Sequence, residues 1–264
     1  MIPIDPAQDT FRVLTTDLLA TDYLGLMRTL ETRASQAGAF AVDFSDARVV
    51  ALRLRDPAFA DLTNCFDLCV PKSMTIVWGM NRLGAGMDGP IDPSIFMRRF
   101  LYQSPPDFRH YFIGETEECS NRLCERLLRR NPDIDLVRSF HGPCSTSGYL
   151  QPPEVHDLVL EDIRDKEPHF VWVGLGRDAQ RAFIANLKPK LRSGILLAMG
   201  SAFDINAGIQ LEAPAFMQRH RFAWLYHLFT EPVQFFATSL RYNTLVCFEI
   251  LRAGRRQDNK FASP

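Results

Sequence analysis

The chain has no apolar run approaching the roughly 20 residues that a bilayer-spanning helix needs. Its opening stretch, MIPIDPAQDTFRVL, has no basic segment followed by an apolar one. Neither a spanning helix nor a secretory signal is therefore read from the sequence, and the expected location is the cytoplasm. A large net charge is missing too. Thirty Lys and Arg against 31 Asp and Glu leave a formal charge of −1, so no global field draws the chain to nucleic acid or to an anionic membrane. The six cysteines form no CxxC pair, and the six histidines form no HxxxH or HExxH pair. That argues against a zinc site or a disulfide framework and for scattered, reduced thiols. Internal repeats and low-complexity linkers are also absent.

What is present suits a globular domain. A length of 264 residues with 46% hydrophobic content supports one large α/β core. Apolar, strand-like runs alternate with amphipathic helical patterns along most of the chain. FRVLTTDLLAT reads as extended and DYLGLMRTLETRAS as a helix capped by Asp22. The strand AFAVDF leads to the helix ARVVALRLR, for which Asp46 is a candidate cap, and DLCVP leads to the helix MTIVWGMNRLG. HYFIG, IDLVRSFHG, the fully apolar HFVWVGLG and GILLAMGSAFD read as further strands, with helices TEECSNRLCERLLRRNP, PPEVHDLVLEDIRDKEP and RDAQRAFIANLKPKL between them. This pattern predicts an α/β, Rossmann-like, open and mainly parallel sheet over residues 1–213, with helices on both faces. From Pro214 the chain turns aromatic-rich, basic and helical. Residues 214–264 read as a C-terminal helical appendage for contact with a membrane or a partner, or as helices packed back on the sheet.

Open α/β sheets bind ligands beyond the carboxyl ends of their strands, where glycine turns let backbone N–H groups approach phosphates. Two strand ends fit. One carries Gly174, Gly176 and, in the following helix, Gln180; the other carries Gly200, Asp204 and Gly208. Each alone reads equally as backbone geometry or a turn.

In order, VWVGLGRDAQRAFI, GILLAMGSAFDINAG and EAPAFMQRHRFAWLYHLFTEP resemble the signature of the WecG/TagA/CpsF glycosyltransferases, roughly VGLGxPKQExWI, VGxxFDxxAG and RAPxWMxxxxLEWLYRLxxEPxR. Upstream, DPAFADLTNCFDLCVPKSMTIVWGMNRLG is similar to DPxFxxALxxADLVxPDGxGIVWxxRxLG. The resemblance covers most of residues 35–245. It implies inverting, metal-independent transfer of a sugar from a UDP-sugar donor, with no cofactor, to a polyprenyl-diphosphate-linked glycan in cell-surface polysaccharide synthesis. It also implies peripheral contact with the cytoplasmic face of the inner membrane through the C-terminal helices. Homo-oligomerisation is left open, and no nucleic-acid partner is expected.

The departures fall on charged positions. The aspartate of PDGxGIVW, the family's proposed base, is Lys72, and an ammonium accepts no proton unless burial lowers its pKa by several units. Lys72 reads instead as a diphosphate ligand or a solvated lysine. Asp46 reads first as a helix cap and second as a replacement carboxylate, and Asp92 matches a family aspartate. PKQE becomes Asp178-Ala179-Gln180-Arg181, and RAP becomes Glu212-Ala213-Pro214. Two readings follow: a divergent transferase with Asp46, Lys72 and Asp92 as candidate catalytic residues, or a non-catalytic relative acting as a scaffold in polysaccharide assembly.

Overall fold

The computed structural model describes residues 9–141, 153–176, 178–211 and 240–261. Six parallel strands form the central sheet: β3 (Phe40–Ser45), β4 (Leu68–Pro71), β5 (Arg109–Gly114), β6 (Asp135–His141), β7 (Phe170–Gly174) and β8 (Ile195–Ala198), in the order β4-β3-β8-β7-β5-β6. The expected open parallel sheet is present. Ahead of it, β1 (Thr10–Val13) and β2 (Thr16–Leu19) pair antiparallel in a separate hairpin. The segment FRVLTTDLLAT, read as extended, therefore folds back on itself, with Leu14 at φ 58° in the turn.

Helices cover both faces, as the doubly apolar strands require. One core layer joins Phe44, Phe112, Phe170, Trp172 and Leu197 of the strands to α1 (Tyr23–Ala34), α5 (Pro93–Gln103), α6 (Glu117–Arg130) and α9 (Ala202–Ala207). The other joins Ala41, Tyr111, Val171, Val173 and Leu196 to α2 (Ala47–Arg55), α4 (Met74–Arg82), α7 (Pro153–Lys166), α8 (Ala179–Leu187) and α10 (Arg241–Phe261). A short α3 (Pro57–Thr63) links α2 to β4. In β7, Phe170 and Trp172 face one layer while Val171 and Val173 face the other, so a period of two serves two cores.

The caps read from sequence hold. Asp22 accepts the Gly25 N–H at 2.7 Å and Asp46 the Val49 N–H at 3.0 Å. One strand boundary differs from the expectation. GILLAMGSAFD is a strand only through Ala198; Gly200 at φ 53° turns the chain, and Phe203 enters the core from α9. The helix expected within 214–239 lies outside the described residues. α10 packs on α2 and α4, with Val246 fully buried and Ile250 against Gly79.

Gly174 ends β7 under the Phe203 ring, where an added Cβ would lie 2.2 Å from the ring Cγ. The site therefore requires glycine for close approach of α9 to the sheet. Gly174→Ala is expected to lower stability by about 1–3 kcal/mol through overpacking, read as a lower urea midpoint; an unchanged midpoint would contradict this packing.

Candidate active site

The carboxyl ends of β3, β4, β5, β7 and β8 surround a crevice of about 730 Å³, the place where open α/β sheets take ligands. Of the residues expected there, Asp46, Lys72, Gly174, Gly176, Gln180, Gly200 and Asp204 line it. Two are not part of that lining. Asp92 caps α5, accepting the Ser94 and Ile95 N–H groups at 2.8 and 3.1 Å, and its own N–H donates to the Tyr23 hydroxyl. Gly208 closes α9 in the left-handed conformation, φ 74°, against the Arg126 guanidinium.

The glycine turns form the floor. Gly200 passes so near the Gln180 amide that a Cβ there would meet it at 3.4 Å. Gln180 sits in the first turn of α8 and is only 5% exposed. Its amide oxygen has no hydrogen-bond partner among the described residues. An unsatisfied buried amide oxygen costs about 1–3 kcal/mol, which makes Gln180 an acceptor in the floor still open to a donor.

A chain of charges supports one side of the crevice. Beneath the floor, Arg181 Nη2 meets Asp43 Oδ1 at 2.9 Å, with side chains 4% and 3% exposed. The Ser45 hydroxyl donates to the other Asp43 oxygen at 2.7 Å. Arg181 also reaches Asp178 at 3.5 Å. Asp178 in turn receives both terminal nitrogens of Arg48, one of them at 2.9 Å. This two-point contact, more than the opposing effect of burial, raises the Arg48 pKa. At the mouth, Lys72 Nζ lies 3.4 Å from Asp46 Oδ2.

Burial alone would push the Asp46 carboxyl up. The Lys72 ammonium, the Val49 N–H and the more distant Arg181 together hold it below the usual carboxylate range. Such a carboxylate is a weak proton acceptor, so its geometry suits a cap and counter-ion.

The opposite side is acidic. Glu115, one residue past β5, accepts the Gly176 N–H, and burial followed by the Asp204 carboxylate raises its pKa. The Cys119 thiol bonds to Asp204 and is pushed up to about 12 by burial, that bond and the nearby carboxylates. Sequence reasoning missed Glu115, Arg48 and the crevice-lining Tyr242 and Asn243 of α10. Glu115 carried a usable signal, an acid directly after the terminal glycine of a strand. Asn243 is held by the Thr75 hydroxyl at 2.7 Å, which ties α10 to α4 at the rim.

Comparisons with known proteins identify the family. Residues 11–260 match the model of the Glycosyl transferase WecG/TagA/CpsF family. A protein of Bacillus subtilis (strain 168), N-acetylglucosaminyldiphosphoundecaprenol N-acetyl-beta-D-mannosaminyltransferase, is 31% identical over 183 residues, or 68% of this chain and 67% of that protein. The protein of the same name from Staphylococcus aureus (strain NCTC 8325 / PS 47) is 22% identical over 116 residues, 44% of this chain and 42% of that one. The chain belongs to the WecG/TagA/CpsF family of glycosyltransferases.

Proposed function

We propose that the chain transfers N-acetylmannosamine from a UDP-linked donor to a polyprenyl-diphosphate-linked N-acetylglucosamine, with inversion and without a metal, in cell-envelope polysaccharide synthesis. The sugar and the acceptor come from what the relatives are named for. The observation that carries the reading is the crevice itself, where close-packed glycine turns adjoin the buried, unsatisfied Gln180 amide oxygen.

On this reading the Gly174–Gly176 and Gly200 turns and Asp204 hold the nucleotide sugar. Gln180 accepts a hydroxyl or N–H of the donor. Lys72 and Arg48 supply positive charge beside the diphosphate, a task suited to a point cation and a planar fork. The reading does not give Asp92 a part in catalysis, because its carboxylate is engaged at the α5 cap.

On this reading the acceptor's lipid puts the reaction at a membrane surface, which we take to be the cytoplasmic face of the inner membrane. Among the described residues no helix is long and apolar enough to cross a bilayer. α10 exposes Phe248 and Leu251 beside Arg252, and the neighbouring α4 exposes Met74 and Trp78, with Arg82 over the Trp78 ring at 5.4 Å. Apolar groups bordered by cations suit peripheral contact with an anionic bilayer. Because Tyr242 and Asn243 of α10 line the crevice, such contact would bring the lipid acceptor to its rim.

The scaffold reading drew its force from the charged departures. Lys72, Asp178 and Arg181 are each paired here with an opposite charge from β3 or α2, so they are not isolated losses.

Calorimetric titration with UDP is expected to give saturable binding, and Gln180→Ala is expected to weaken it by about tenfold, the scale of one buried hydrogen bond. Absence of binding by the folded protein, or unchanged affinity in the variant, would contradict this placement of the donor.

A further inference from the structure

We propose that Glu115 is the catalytic residue that takes the proton from the attacking acceptor hydroxyl, an assignment that rests on the transferase reading above. The acids around the crevice separate by what already holds them. Asp46 is engaged by Lys72 and the α2 N-terminus. Asp178 is engaged by Arg48 and Arg181, and Asp43 lies buried against Arg181. Asp92 is no part of the lining. Glu115 is exposed to the crevice, lies against the Gly176 turn at the place where a Cβ on that glycine would meet it at 2.8 Å, and has no ion pair among the described residues.

Its position also satisfies the stereochemistry. Inversion by a single displacement requires the proton acceptor and the leaving diphosphate on opposite faces of the anomeric carbon. The cations Arg48 and Lys72 follow β3 and β4, whereas Glu115 follows β5. In the strand order, β8 and β7 stand between β3 and β5, which sets the two sides roughly 14 Å apart at one strand spacing of about 4.8 Å each. The cations on the β3 and β4 side are offset by Asp46 and Asp178, so that side is close to neutral, and a diphosphate is kept there by repulsion from Glu115 and Asp204. The anomeric carbon, bonded to the diphosphate, then lies over the glycine floor between the two sides, with the face opposite the leaving group turned toward the acid.

In the step, a lone pair of the acceptor hydroxyl oxygen forms the new bond to the anomeric carbon. The bond from that carbon to the phosphate oxygen breaks, and its electron pair leaves with UDP. The hydroxyl proton passes to a Glu115 carboxylate oxygen and from there to solvent.

The groups facing Glu115 favour this work. They are the Gly176 N–H from the β7 turn, the Asp204 carboxylate from α9 and the neutral Cys119 thiol from α6. Partial desolvation within the crevice and the Asp204 charge raise the Glu115 pKa, and the Gly176 N–H opposes them in part. A carboxylate so raised is a stronger base. Asp204 is thereby a positioning residue for the proton transfer as well as a donor contact.

The test measures UDP affinity by calorimetry and transfer from UDP-N-acetylmannosamine to a synthetic lipid-diphosphate N-acetylglucosamine, using the full chain. Glu115→Gln should lower kcat by about 100-fold or more, the usual contribution of a general base, while UDP affinity stays within about threefold on the same scale. Asp204→Asn, at saturating donor, should move the acid limb of the kcat profile to lower pH, because removing that charge lowers the Glu115 pKa. A Glu115→Gln enzyme with near-wild-type kcat would overturn the assignment. So would parallel loss of rate and UDP affinity, which would make Glu115 a nucleotide ligand. Wild-type protein that binds UDP but transfers no sugar would overturn the transferase reading and this assignment with it.

Discussion

Asp43 and Arg181 meet beneath the crevice as a nearly solvent-free ion pair, and the placement of most other groups in the site follows from it. Two charges withdrawn from water are tolerable only with good geometry and further hydrogen bonds. Ser45 adds one hydrogen bond to Asp43, and Asp178 adds a second ion contact to Arg181. The pair ties the end of β3 to the first turn of α8 across the intervening β8. That turn also carries Gln180, so the depth at which its amide faces the Gly200 turn is set by the same contact. Asp178, held by Arg181, fixes Arg48 at the start of α2, and Asp46 at the cap of α2 fixes Lys72. One buried pair thus organises a charged side that continues to the crevice mouth.

This network changes the meaning of the sequence's departures from its family. Taken one at a time, a lysine in place of an acid and an arginine in place of a glutamate look like decay of a catalytic centre. In the fold, Lys72 meets Asp46, Arg181 meets Asp43, and Asp178 meets Arg48, so each altered charge has a counter-charge from the β3–α2 segment. The crevice is electrically divided, with compensated charges after β3 and β4 and the acids Glu115 and Asp204 on the β5 and α9 side. On the proposed function, a nucleotide diphosphate and a hydroxyl that must lose a proton have opposite electrostatic needs, which such a division would serve.

Much of the fold was legible because its signals are local. The all-apolar run of β7, the caps Asp22 and Asp46 and the glycine after α4 each determine structure within a few residues. The strand end at Ala198 was misplaced because the apolar run continues through Met199 into α9, so hydrophobicity alone does not mark the turn at Gly200. α5 went unread although Asp92-Pro93 is a cap followed by a proline at the first helical position. In the site, the glycine turns and Gln180 were visible as motifs. The ion pairs were not, because Arg181 and Asp43 lie far apart in the chain and neither residue's neighbours announce the other. Glu115 was passed over although it directly follows the terminal glycine of β5, because its neighbours come from β7 and α9, far away in the chain.

On the proposed function, the altered positions at Lys72, Asp178 and Arg181 form a compensated charge network. Arg181→Glu tests it most directly, since it restores the acid found in the family pattern. If Asp43 and Arg181 form a necessary pair, the substitution sets two acids together in the floor and lowers stability by about 3–5 kcal/mol, the scale of breaking a buried ion pair, measured by equilibrium urea unfolding. Stability equal to or above that of the wild-type chain would show that the pair is dispensable and would contradict the account.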